Sequence, residues 1–182
     1  MKAWMLTVAV LALMLSGMSV SHAGLNLVDQ VDLERYQGRW YEIARLPNRF
    51  QRQCESNVTA HYRLRDDGRV EVTNRCRRED GSQVEAGGVA RRADPEGPEA
   101  ALEVRFAPRW MSFLPFVWGD YRILALGADY DDALVGSDNR RYLWVLSRSP
   151  ELSETRLEAL LKTAREQGFE LDELIYTRHE AD

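Results

Sequence analysis

The chain has 182 residues, a formal net charge of −5 and two cysteines. That length makes one domain with a sizeable core. The acidic balance excludes nucleic-acid binders, which need a basic face.

The first 23 residues read as a secretory signal peptide, leaving a domain over 24–182. Lys2 supplies the positive start, Met5 to Leu15 an apolar run and Ser21-His22-Ala23 a small-x-small cleavage site. The apolar run falls short of the ~20 residues that span a bilayer. Leu15-Ser16-Gly17 resembles the stretch before the lipidated cysteine of a bacterial lipoprotein, but Met18 stands at the cysteine position. Methionine offers no thiol to alkylate, so an exported protein without a lipid anchor is expected.

Residues 25–33 form an extended or short helical lead-in. The stretch Gly38-Arg39-Trp40-Tyr41-Glu42-Ile43-Ala44 then starts a first strand at a glycine turn, over 39–46. Trp40 needs a packed site and a partner for its indole N–H. Pro47 to Gln51 reads as a loop. A strand over 57–65 alternates Val58, Ala60, Tyr62 and Leu64 with polar residues, the period of a half-buried strand. Asp66-Asp67-Gly68 turns it into a strand over 69–76, with Val70 and Val72 inward. A strand over 83–91 places Val84, Ala86, Gly88 and Ala90 on one face, small residues that leave space. After the turn at Asp94–Pro98, a strand over 101–107 faces Leu102, Val104 and Phe106 inward and Glu103 and Arg105 outward. Further strands follow over 120–128, 133–137 and 142–148. Leu157, Leu160, Leu161 and Ala164 then share one helical face within 152–167, with Ser153 as N-cap and Gly168 as stop. A last short strand is expected within 171–176.

Eight short strands joined by short turns, followed by one helix, give an all-β sandwich or closed barrel. The one-sided alternation favours a single antiparallel sheet wrapped up and down on itself. The strands at 133–137 and 142–148 are apolar on both faces, and the helix packed outside supplies their cover. An eight-stranded barrel holds one small ligand. Cys54 and Cys76 are both in the exported part and suit a disulfide. The hairpin turn puts Cys54 off the position opposite Cys76, so a bulge or returning loop must close the gap; two separate thiols are the alternative.

These residues resemble the lipocalin family, and most closely its bacterial members, which are similar to apolipoprotein D and the temperature-induced lipocalins. Gly38-Arg39-Trp40 matches the first signature, Asp129-Tyr130 the second and Arg148 the third; the threonine usual before Asp129 is Ala128 here. The resemblance covers nearly the whole domain. It implies a lipocalin (calycin) barrel, a structural role for Gly38, Trp40, Asp129, Tyr130 and Arg148, and a stack of Arg148 on Trp40 at the closed end. It also implies carriage of a fatty acid or lysophospholipid, in lipid transport or envelope maintenance.

The expected cavity lining is Glu42, Val58, Ala60, Tyr62, Val70, Val72, Val84, Ala86, Ala90, Leu102, Val104, Phe106, Tyr121 and Ile123, with Glu42, Tyr62 and Tyr121 as headgroup partners. The loop Arg109–Gly119 is the most apolar of the domain, and Trp110, Phe113, Leu114, Phe116 and Trp118 mark it as a cavity cap or a membrane contact at the mouth. The expected setting is the periplasm, soluble or peripheral to the outer membrane. No cofactor or metal is implied: His61 and His179 stand apart, and no cluster has metal-ligand spacing. The alternatives are a lipid-directed enzyme using Cys54 as nucleophile or Glu42 as base, and an interaction protein whose apolar loop binds a partner or a second copy.

Overall fold

A computed structural model describes residues 24–180; the expected leader and Met18 lie outside the described residues. The lead-in ends in a one-turn helix α1 (Leu33–Tyr36), capped by Asp32, whose carboxylate accepts from the Glu34 and Arg35 amides. Gly38 follows with φ +93°, a conformation that favours glycine, and starts β1 (Gly38–Arg45).

Seven more strands continue the sheet: β2 (Ser56–Leu64), β3 (Val70–Arg77), β4 (Gln83–Arg92), β5 (Ala101–Arg105), β6 (Gly119–Leu126), β7 (Asp132–Gly136) and β8 (Leu143–Ser147). Each pairs antiparallel with the next, and β1 pairs with both β8 and β2, so the ring closes. The first half of β1 pairs with β2 (Gly38 opposite Tyr62), whereas Ala44 and Arg45 pair with a short β9 (Ile175–Tyr176). The expected last strand is thus confined to two residues that fill the seam where β1 and β2 diverge.

Two apolar layers result. One lies inside the barrel and includes Trp40, Tyr62, Val70 and Ile123. The other lies between the barrel and α2 (Glu154–Glu166), where Leu160, Leu161 and Ala164 pack on Leu134, Leu143 and Val145. Ser153 caps α2, accepting from the Arg156 amide at 3.3 Å. Arg156 also makes two 2.6 Å bonds to the buried Asp132 carboxylate, fixing α2 to β7 through a bidentate pair. Among the described residues, no helix is long and apolar enough to cross a membrane.

Arg105 departs from the expected alternation. It is buried, because its outer side is covered by Trp118 of the β5–β6 loop, with the guanidinium carbon 5.2 Å from the ring centroid.

Cys54 and Cys76 form a disulfide with a Cα separation of 5.5 Å. The gap is closed by two local features: a register shift between Ser56 and Thr59, with Asn57 at φ +55°, and a turn in which the Cys54 amide bonds to Gln51 O. The bridge links residues 22 apart and pins the β1–β2 loop to β3. The double variant Cys54→Ser/Cys76→Ser should lose about 3 kcal/mol of stability in urea unfolding. Unchanged stability would contradict a constraint on the unfolded chain.

Candidate functional site

The barrel encloses a cavity of about 590 Å³ that opens at one end. The size suits a single lipophilic ligand. Its walls are Val58, Ala60, Val70, Val72, Ala90, Leu102 and Val104, the inward positions of β2 to β5. Space exists because these side chains are short, while Gly88 makes room for the Phe106 ring. A Cβ at Gly88 would lie 2.7 Å from the Phe106 ring.

The floor is built at the closed end. Trp40 is fully buried and its indole N–H donates to Tyr36 O at 2.9 Å. The Arg148 guanidinium lies 4.0 Å over the Trp40 ring and donates to Arg35 O, Arg39 O and Tyr130 O. One arginine thereby holds α1, β1 and the β6–β7 turn together, adding a cation–π contact. Tyr130 bonds to the Asp32 amide through its hydroxyl at 2.8 Å, with Arg35 stacked 4.1 Å over its ring, while Asp129 is exposed in the turn.

Above the plug, three phenols cross the barrel: Tyr36 from α1, Tyr62 from β2 and Tyr121 from β6. Tyr121 lies 2.9 Å from each of the other two hydroxyls. Burial pushes the Tyr62 phenol up to about 12 and raises Tyr36 and Tyr121 well above the ordinary value. The floor phenols are therefore polar and uncharged.

The mouth carries a second polar group. The buried Glu42 carboxylate accepts from Arg45 at 2.7 Å, Thr177 at 2.6 Å and Gln51 at 2.5 Å. Gln51 also accepts from the Trp144 indole at 2.9 Å and from Asn48 at 2.8 Å. On the wall, buried Asn74 Oδ1 has no partner among the described residues.

Of the expected lining residues, Glu42, Val58, Ala60, Tyr62, Val70, Val72, Ala90, Leu102, Val104, Phe106 and Tyr121 face the cavity. Val84, Ala86 and Ile123 do not. The first half of β4 extends past β5, whose pairing begins at Val89 opposite Arg105, so Val84 is half-buried at the rim and Ala86 is exposed. Ile123 is fully buried in the packed interior, its N–H on Ala100 O and its carbonyl on Val28 N–H, and does not reach the void. Phe106 lines the mouth at 42% exposure. Sequence reading missed Tyr36, Gln51, Asn74 and Trp144. Asn74 follows Val70 and Val72 at the inward parity, a signal that was present; Gln51 and Tyr36 come from a loop and a one-turn helix that carry none.

The β5–β6 loop forms two 3-10 turns, Arg109–Met111 and Pro115–Val117. Trp118 is its inner anchor, donating to Ser112 O at 2.9 Å with Arg91 3.9 Å over its ring. Phe116 and Trp118 line the mouth, and Leu114 is half-buried. Trp110, Phe113 and Phe116 are 71%, 75% and 77% exposed, and Phe50 adds a fourth exposed ring from the β1–β2 loop.

The two enzymatic candidates are already engaged. Cys54 is in the disulfide, which removes the free thiol of that reading, and Glu42 is held by three donors.

The family profile described as a lipocalin-like domain matches residues 31–179. Temperature-induced lipocalin-1 of Arabidopsis thaliana is 38% identical over 151 residues, covering 82% of this chain and 80% of the relative. The outer membrane lipoprotein Blc of Citrobacter freundii is 40% identical over 157 residues, covering 85% and 83%. Among solved structures, lobster apocrustacyanin A1 superposes with a TM-score of 0.64 at 19% identity, covering 81% of this chain and 79% of its own, which shows the shared fold. The chain belongs to the lipocalin family.

The floor phenols generate a pH prediction. Their raised values mean that the folded state holds these protons more tightly than the unfolded chain does. Stability is therefore fully present below about pH 10 and falls as pH rises toward about 12. In urea unfolding, Tyr62→Phe should make that decline shallower by about 1.4 kcal/mol per pH unit. An identical slope in the variant would contradict the burial of this phenol.

Proposed function

We propose that this lipocalin carries one acyl-chain lipid, a fatty acid or a lysophospholipid, in the bacterial cell envelope. The observation that carries the reading is the apolar cavity of about 590 Å³, closed by the Trp40–Arg148 plug and open at an aromatic mouth. Each buried methylene contributes about 0.8 kcal/mol, so affinity rises with chain length until the cavity is full. The printed description of the Citrobacter freundii relative as an outer membrane lipoprotein supports an envelope setting. With Met18 at the cysteine position, we take this chain to be exported without the lipid anchor.

The exposed rings of Phe50 and Phe116 stand at the opening through which a lipid must pass, and those of Trp110 and Phe113 belong to the same loop as Phe116. Contiguous exposed aromatic surface marks an interaction site, and tryptophan favours the membrane–water interface. Arg49 and Arg109 flank these rings and suit an anionic surface. The reading is a transient dock of the mouth on a bilayer, with the acyl chain passing from membrane to cavity.

Native mass spectrometry of the purified protein should show a mass adduct matching one lipid with a long acyl chain. A protein that stays bare after incubation with hexadecanoate and lysophosphatidylethanolamine would contradict the carrier reading. Phe113→Ser/Phe116→Ser should weaken association with phosphatidylglycerol/phosphatidylethanolamine vesicles by at least about tenfold, since each ring loses part of a 1.5–3 kcal/mol burial term. Equal vesicle binding would contradict the docking role of the loop.

A further inference from the structure

Arg148 has no carboxylate partner among the described residues, and an aromatic face at 4.0 Å and three carbonyl acceptors hold it instead. Arg105, on the outer face of β5 beneath the mouth loop, is 7% exposed and has less. Its Nη1 donates to Ala107 O, and its guanidinium carbon stands 5.2 Å from the Trp118 ring centroid. Nε is buried without a partner, and Nη2 meets no acceptor among the described residues. The carboxylates of the neighbouring strands are already paired: Glu85 with Arg75 at 2.7 Å, Glu103 with Arg91 at 2.5 Å and Asp120 with Arg122 at 3.1 Å. Residues 106–118 carry Arg109 and no acidic side chain. A covered cation with unmet donors is costly to leave alone.

We propose that Arg105 binds the phosphate of a bilayer phospholipid when the mouth docks. This rests on the docking reading and deepens it. The unfilled edge of the guanidinium has the right shape. Nε–H and the adjacent Nη2–H lie in one plane and point the same way, a fork that takes two oxygens of one anion. The charge has the right sign, since Arg105 is unpaired and exposed Arg109 adds a second cation from the loop. Position names the occupant. The cover over Arg105 is Trp118, on the same loop as the exposed rings of Trp110, Phe113 and Phe116. Rings that enter the interface bring the base of their loop to headgroup level, where phosphates lie. Trp118 shifts with its loop, the edge opens, and the phosphate supplies the acceptors that the chain does not. Arg105 does not line the cavity, so this lipid is a different molecule from the one carried inside.

The test compares vesicles of phosphatidylglycerol with vesicles of digalactosyldiacylglycerol, a bilayer lipid without phosphate. Native protein should bind the phospholipid at least about tenfold more tightly, the effect of a charge-assisted contact. Equal binding to both would overturn the phosphate site and leave the docking reading standing. Binding to neither would overturn the docking reading as well. In a second arm, Arg105→Met keeps a stem of similar bulk and removes the fork. It should weaken binding to phosphatidylglycerol about tenfold and leave binding to the galactolipid within about twofold. An equal loss on both surfaces would overturn the proposal, because a residue that merely supports the loop acts on both. Unchanged binding to phosphatidylglycerol would overturn it too. In a third arm, glycerol phosphate at matched ionic strength should leave native protein on phosphatidylglycerol. Release by glycerol phosphate would overturn the bilayer as the source of the anion.

Discussion

The hollow in this barrel depends on the contact between Trp40 and Arg148. An eight-stranded sheet that closes on itself is a tube with two ends, and without a stopper its interior is either flooded or collapsed. Trp40 fills one end completely, its indole hydrogen held by Tyr36 O. Arg148 covers the outer face of that ring and donates to three carbonyls from separate parts of the chain. Desolvation by burial works against the Arg148 charge, and its three carbonyl bonds and the aromatic face compensate. Gly38 is part of the same device: a Cβ there would lie 3.3 Å from the Arg148 guanidinium, at a φ of +93° that L side chains rarely adopt.

With one end stopped, the rest of the architecture orders itself along the barrel axis. The tyrosines sit on the stopper, short aliphatic side chains form the sleeve, and the aromatic loop stands at the opening. Polarity therefore changes with depth, which is how an interior can fix the orientation of an amphiphile as well as its volume. The mouth is held rather than loose: the disulfide fixes the β1–β2 loop, Gln51 links Glu42 to Trp144, and Trp118 sits under Arg91. What remains exposed there is a set of rings on well-anchored supports.

Much of this was legible in the sequence because a half-buried strand repeats every two residues. Val58, Ala60 and Tyr62, or Leu102 and Val104, declare their inward face without help from the rest of the chain, and the helix over 154–166 declares itself by its period, N-cap and terminal glycine. The misses have a common origin. Alternation says which face a residue is on, not how far its strand outlasts its neighbour. Val84 and Ala86 have the right parity but sit where β4 has lost β5, and Ile123 has it but lies within the packed interior. Arg105 reads as outward and is buried because a loop, invisible to periodicity, folds over it. Tyr36 completes the floor from a helix of four residues, too short to show any pattern. The phenol row on the floor needs their spatial meeting, since Tyr36, Tyr62 and Tyr121 are far apart in the chain.

The central claim is that an alkyl chain lies inside the sleeve between stopper and mouth. A crystal structure of the protein with a fatty acid brominated near mid-chain tests it most directly, because anomalous scattering locates the bromine whichever way the ligand points. The account predicts a bromine peak on the barrel axis, among Val58, Val72, Leu102 and Val104. A peak only outside the barrel, against the aromatic rim or the α2 face, would contradict it.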